Sequence, residues 1–254
     1  LGSDMTSYPP FLSHEIRLTT ACDLTCFYCP LWINKKTTQY IQEPLKNNND
    51  LKQFLINKTK FKKDVHIYGG DPLKSDTLIA LCRQLKKLKK KIILWTHGQY
   101  PCEIFDQLVP YIDDFVLYYP AANGTLFREF SGVEGFDNLN LLVEYLKERH
   151  KTVKLAHHIK PDNVQYLAEI YEGAYNQNVD LILTYNRLNH FSKDSIAFIK
   201  RFRRIPNVTL YKTAFRKDPD SCLMFPYGAL SSNVQFITIL IYKLFNGLRL
   251  QLGL

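Results

Sequence analysis

Three cysteines within eight residues, Cys22, Cys26 and Cys29, are the part of this sequence best equipped for chemistry. Thiolates are soft ligands that suit zinc or an iron–sulfur cluster. A structural zinc site is closed by four ligands, commonly two pairs, and no second cysteine pair follows; a lone histidine as fourth ligand would rescue a zinc reading. A [4Fe–4S] cluster held by three thiolates leaves one iron open to a ligand from outside, which is what cofactor or substrate chemistry requires. The other three cysteines stand apart: Cys82 among apolar helix positions, Cys102 and Cys222 alone. A disulfide scaffold would spread its cysteines through a small secreted chain, whereas a tight cluster in a larger one points to metal in a reducing cytoplasm.

The elements that must position this cluster read as an alternation of strands and helices. Strands are expected at Glu15–Thr20, Val65–Tyr68, Ile92–Trp95, Phe115–Tyr119, Val153–His157 and Leu181–Thr184, with Val208–Tyr211 as one more. Helices are expected near Leu51–Leu55 behind Asp50, over Ser75–Lys89 with Ser75 as N-cap, and over Cys102–Tyr111, Asn138–Glu148, Pro161–Gln177 and Ser195–Phe202. Six repeats of strand then helix imply a parallel sheet with right-handed crossovers. The fold class is therefore α/β, with a core over residues 5–212 and a short C-terminal extension over 213–254; six units suit an open or partial barrel better than a flat sheet, two forms that periodicity alone does not separate.

In such folds, sites gather where loops leave the C-terminal ends of the strands. Strand one runs into the cysteines, strand two into Gly69-Gly70-Asp71-Pro72, and strand three into Thr96-His97-Gly98. Strand five ends at His157-His158 and strand six at Tyr185-Asn186. The unusual residues converge on one rim. Adjacent strand residues face opposite sides, so one of His157 and His158 points into the barrel, and packing is the default role for either.

Cys22-x3-Cys26-x2-Cys29, with aromatic Tyr28 before the last cysteine and the Gly69–Pro72 loop after the next strand, resembles the signature of the radical S-adenosylmethionine (AdoMet) superfamily. The resemblance covers roughly residues 15 to 212 and implies a partial (β/α)6 TIM-like barrel. It implies a [4Fe–4S] cluster on Cys22, Cys26 and Cys29 whose open iron binds AdoMet. It also implies reductive cleavage to a 5′-deoxyadenosyl radical and hydrogen abstraction from an organic or peptide substrate. Carried over by position, Tyr28 lies against the adenine, and Gly69, Gly70, Asp71 and Pro72 form the loop that meets the AdoMet amino group. Asp71 stands where the family more often has glutamate. Thr96 and His97 match the T-N-G loop, with His97 a departure from Asn, and Asn186 is a further AdoMet contact. The implied partners are a one-electron donor such as a flavodoxin or ferredoxin, and a small-molecule or peptide substrate.

The resemblance leaves the subclass open. A short chain with a compact tail is similar to glycyl-radical activating enzymes and to small modifiers of peptides; the Gly132-Val133-Glu134-Gly135 turn occurs in both groups. A second cluster would need more cysteines than the tail offers, leaving Cys222 as a candidate substrate-facing thiol. A non-catalytic iron–sulfur redox or binding protein is the rival reading.

Composition excludes other classes. Across 254 residues, 46% hydrophobic and 22% charged describe a globular chain rather than a disordered one. The most apolar run, Phe236–Tyr242, is too short for the roughly 20 residues of a membrane span. Leu1–Asp4 read as a scar ahead of Met5, and no secretory signal is expected after it. The net charge of +9 comes from Lys58–Lys63, Lys86–Lys91 and Arg201–Arg204, runs at helix ends that face water and offset the helix dipole. Docking of an acidic electron donor is the sharper use of that charge; a nucleic-acid modifier ranks last, because no nucleic-acid motif accompanies it.

Overall fold

A computed structural model describes residues 13–19, 21–26, 63–185, 191–215 and 222–226. Tyr28, Cys29, Asn186, the Leu51–Leu55 helix and the Phe236–Tyr242 run lie outside these described residues. Strands β1 (Ser13–Thr19), β2 (Asp64–Gly69), β3 (Lys91–Thr96), β4 (Asp114–Tyr118), β5 (Thr152–His158), β6 (Asp180–Tyr185) and β7 (Val208–Phe215) pair in sequence order, every neighbour parallel. The eighth strand, β8 (Cys222–Pro226), adds antiparallel to β7. Among the described residues no pairing joins β1 to β7 or β8, so the sheet is open. This is the expected α/β architecture of a partial barrel. The expected boundary at residue 212 falls inside β7.

Helices cover one face: α1 (Leu78–Lys87), α2 (Cys102–Asp106), α3 (Gly124–Ser131), α4 (Phe136–Glu148), α5 (Leu167–Asn176) and α6 (Lys193–Phe202). The period-2 alternation of the strands sorts their side chains. Val65, Ile67, Ile92, Leu94, Phe115, Leu117, Leu155, Leu181 and Leu183 pack under the helices in the main core. Ile93, Val116, Ala156 and Ile182 form a smaller cluster on the opposite, barrel-side face, with Trp95 against it.

Several helix boundaries differ from those the periodicity predicts. Ser75 does not cap α1; it ends a 3-10 turn at Pro72–Lys74, and the helix begins after Thr77. The chain after Pro161 makes a 3-10 turn at Val164–Tyr166 before α5 starts. Helix α3 was not among the expected elements; the Asn123 side chain accepts the Leu126 N–H at 2.9 Å and caps it. Gly132, in the left-handed region at φ 80°, then ends it.

Candidate active site at the C-terminal rim

The parallel strands deliver their C-terminal ends to one side, and the loop carrying Cys22 and Cys26 leaves β1 there. Cys22 is exposed and Cys26 buried. The Gly69–Pro72 loop is stitched directly to this segment. Gly70 N–H donates to Thr19 O at 2.7 Å and Asp71 N–H donates to Ala21 O at 2.6 Å. A Cβ on Gly69 would run into the Thr19 carbonyl, so the close approach of the two backbones requires glycine. The Asp71 and Pro72 carbonyls in turn accept Lys74 N–H and Ser75 N–H, each at 3.0 Å.

Asp71 holds the rim together. Its side chain is fully buried. Oδ1 accepts Leu73 N–H at 2.9 Å; Oδ2 accepts the Thr96 hydroxyl at 2.6 Å and His97 N–H at 2.8 Å. One carboxylate therefore caps the Pro72–Lys74 turn and ties the loop after β2 to the loop after β3. Buried charge is tolerated only with such satisfaction. Its carboxylate oxygens point at these loops and their donors.

Thr96 and His97 are buried as well. Besides donating to Asp71, Thr96 Oγ1 accepts Gly98 N–H at 3.1 Å. His97 Nδ1 accepts Gln99 N–H at 3.0 Å, which places the ring proton on Nε2. That nitrogen lies 3.2 Å from Asp71 Oδ2 without the alignment of a hydrogen bond. Burial lowers the His97 pKa, with the Asp71 charge pulling the other way, so the ring is a neutral, immobilised group. Its face stacks on Tyr100, centroids 5.2 Å apart and planes 16° apart.

Thr25, Ser131 and Gln99, not singled out from sequence, complete the brace together with the Gly132–Gly135 turn. Thr25 N–H donates to Ser131 O at 2.9 Å, so the end of α3 fixes the residue before Cys26. Gly132 abuts Thr25 closely enough that a Cβ would collide with its hydroxyl. Gln99 Nε2 donates to Gly135 O at 3.1 Å and to His97 O at 3.3 Å. The Gly132–Gly135 turn thus links the cysteine loop to the Thr96–Gly98 loop; its two glycines were the available signal.

The neighbouring histidines separate as the strand alternation requires. His157 faces the helix layer, with Nδ1 2.9 Å from Tyr119 O, and burial lowers its pKa to about 4. His158 faces the barrel, with Nδ1 2.7 Å from Thr184 Oγ1, and burial lowers it to about 3. Deeper on the same face, Trp95 Nε1–H donates to His66 Nδ1 at 2.9 Å. Cys82 is a core thiol, fully buried, its pKa raised to about 12.

Two thiols of the Cys22–Cys29 motif sit in the loop leaving β1, soft ligands of the kind a thiolate-held metal centre needs, and among the described residues no group of three metal-ligating side chains is gathered. The buried Tyr100 hydroxyl has no hydrogen-bond partner among the described residues. Lys74 locates it: its Nζ is 5.8 Å from the Tyr100 ring centroid and 2.7 Å from Asp23 Oδ2, next to Cys22 in the chain.

The architecture is shared with solved structures, several of them bound to S-adenosylmethionine. Streptococcus suis SuiB bound to S-adenosylmethionine shares it at a TM-score of 0.58 and 22% identity, over 70% of this chain and 41% of SuiB. Native anSMEcpe with bound AdoMet and Kp18Cys peptide matches at 0.57 and 15%, over 75% of this chain and 59% of that one. TYW1 with a lysine-pyruvate adduct bound matches at 0.51 and 16%, over 84% and 80%. At these identities the likeness is one of fold, and this chain spans less than half the length of the SuiB structures. No protein-family model matches the sequence, and no curated protein does. Among the described residues no helix is long and apolar enough to cross a membrane.

Proposed function

We propose that this chain is a radical AdoMet enzyme acting on a peptide or small organic substrate. The observation that carries the proposal is the junction of motif and fold: the Cys22–Cys26 loop emerges at the rim where the Gly69–Pro72 and Thr96–Gly98 loops are hydrogen-bonded into one unit. Cys22, Cys26 and Cys29 would hold a [4Fe–4S] cluster. When bound, that cluster supplies one electron to the AdoMet sulfonium, which gives methionine and a 5′-deoxyadenosyl radical that removes a hydrogen atom from the substrate.

The chain's own residues bind and orient. Backbone carbonyls of Gly69 and Gly70 would receive the AdoMet amino group, as the motif position of this loop implies, while the Asp71 carbonyl accepts Lys74 N–H. Asp71 acts through its carboxylate toward the fold. Thr96 and His97 position the β3 loop, His97 as a neutral ring that a cationic sulfonium does not repel. Tyr28 and Asn186 supply the adenine and polar contacts implied by their motif positions. A dry, preorganised rim of this kind protects a reactive carbon radical and fixes the substrate against it. A flavodoxin or ferredoxin is the electron donor that this chemistry calls for.

The peptide class is supported by two neighbours, SuiB bound to precursor peptide SuiA and anSMEcpe with Kp18Cys peptide. The test is anaerobic reconstitution with iron and sulfide, followed by dithionite and AdoMet. Formation of 5′-deoxyadenosine and methionine in equal amounts is expected. A colourless zinc-containing protein, or a cluster that leaves AdoMet intact, would overturn the proposal.

A further inference from the structure

The Arg201–Arg204 run closes α6, and α6 descends against the strands, so the run arrives beside the N-terminal ends of β6 and β7. Leu181 N–H donates to Asn207 O at 2.8 Å and fixes that position. β6 alone, six residues long, puts roughly 20 Å between this end and the rim that carries Cys22 and Cys26. An electron donor docked here would stand away from the cysteines it must serve.

Lys200, Arg201, Arg203 and Arg204, with Ala197, line a surface depression of about 470 Å³. All four cations are exposed. The fold itself does not account for them. Ile199 and Phe202 seat the helix in the core, and the carbonyls of Arg201 and Phe202 already accept Arg204 N–H at 3.1 Å and Ile205 N–H at 3.2 Å. The helix dipole leaves only about half a negative charge at its C-terminus. Elsewhere at this end Lys86, Lys91 and Lys154 each face an aspartate, whereas among the described residues no carboxylate pairs with Lys200, Arg201 or Arg204. β8 runs back toward this end, and the sequence that follows it, 227–254, contains no aspartate or glutamate.

We propose that the Lys200–Arg204 surface docks an acidic segment of a second protein, one other than the electron donor. Three of the four cations are arginines, whose planar guanidinium groups pair with carboxylates through two hydrogen bonds at once. A nucleic-acid strand needs a longer cationic track, and the neighbouring strand begins with Asp180, 48% exposed, which repels a phosphate backbone. A second copy of this chain is set against itself by the net charge of +9. The surface is separate from the cysteine loop and does not depend on the cluster reading.

The experiment titrates the full chain with a short fluorescent peptide alternating glutamate and serine, and with a uridine oligonucleotide of equal charge. The peptide should bind, and added salt should weaken it. Arg201→Glu/Arg204→Glu should weaken it at least about tenfold. Lys87→Glu/Lys193→Glu makes the same change in net charge at exposed sites on α1 and at the other end of α6, and should weaken it less than about twofold. Equal losses in the two double variants would mean attraction to net charge alone, and no binding by the unaltered chain would mean an idle or covered surface; either overturns the proposal. An oligonucleotide held more tightly than the peptide by the same arginines overturns the class of partner. If charge reversal unfolds the chain, Arg201→Gln/Arg204→Gln is read instead, with a loss of about threefold expected and an unchanged affinity overturning the proposal. A chain that binds the peptide yet takes up no cluster would refute the proposed function and leave this surface standing.

Discussion

The two ends of the sheet solve the problem of polar groups in opposite ways. At the N-terminal end, charges sit against opposite charges: Lys91 with Asp114 at 3.0 Å, Lys86 with Asp113 at 2.6 Å, and Lys154 facing Asp180 at 3.9 Å. Turns there accept left-handed conformations at Lys89, His150, Asn178 and Asn207 to bring each helix back into a strand. At the C-terminal end one buried carboxylate serves three donors on two loops, and the Tyr100 hydroxyl is left over. The first end is dominated by ion pairs, with Gln177 Oε1 buried there without a hydrogen-bond partner among the described residues. The second is built around something else, the division of labour expected of barrel ends.

That contrast can be broken in graded ways. The largest effect belongs to Cys26→Ser. It should abolish the visible charge-transfer absorption of the reconstituted protein and all 5′-deoxyadenosine formation, whereas Cys102→Ser, at a half-buried thiol on α2, should leave both intact. Asp71→Ala comes next. It strips three donors of their acceptor, and urea unfolding should show a loss of about 3 kcal/mol. Asp71→Asn keeps the shape and should recover part of it.

The buried imidazoles give a third handle. Burial holds His66 and His157 at about 4, below the ordinary value near 6.5, so the folded chain favours the neutral ring. Below pH 6.5 the unfolded chain binds more protons than the folded one, and stability present above that pH is lost as pH falls toward about 4. His157→Gln should flatten this acid slope by about 2 kcal/mol between pH 7 and pH 4.5 in urea titrations. The smallest effect is expected at the paired end. Lys91→Met should cost about 1 kcal/mol, since Lys91 is one-third exposed, and should leave AdoMet cleavage unchanged. A cleavage defect from that substitution would erase the distinction between the ends.

The sheet was legible in the sequence because its strands are apolar runs bounded by turn residues, and the motif loops follow them directly. Strand β8 was not, since Cys222–Pro226 stands outside the strand–helix rhythm and ends on a proline. Helix α3 was hidden because Asn123-Gly124 signals a turn and a helix cap with the same residues. At the rim, Asp71 could be placed from its motif, but the inward turn of its carboxylate depends on Thr96 and His97, more than twenty residues away. Tyr100 carried no motif at all. Its standing comes from what fails to contact it, and absence of a partner is a property of packing that no spacing encodes.

The bond from Thr25 N–H to Ser131 O spans more than a hundred residues. Synthesis runs from the N-terminus, so the bonds that Asp71 makes to its own turn and the β3 loop can form once residue 98 has emerged, while the segment before Cys26 must wait for α3. The tether beside Cys26 thus arrives more than a hundred residues after Cys26 itself, whereas the bonds from Gly70 and Asp71 to Thr19 and Ala21 need fewer than sixty.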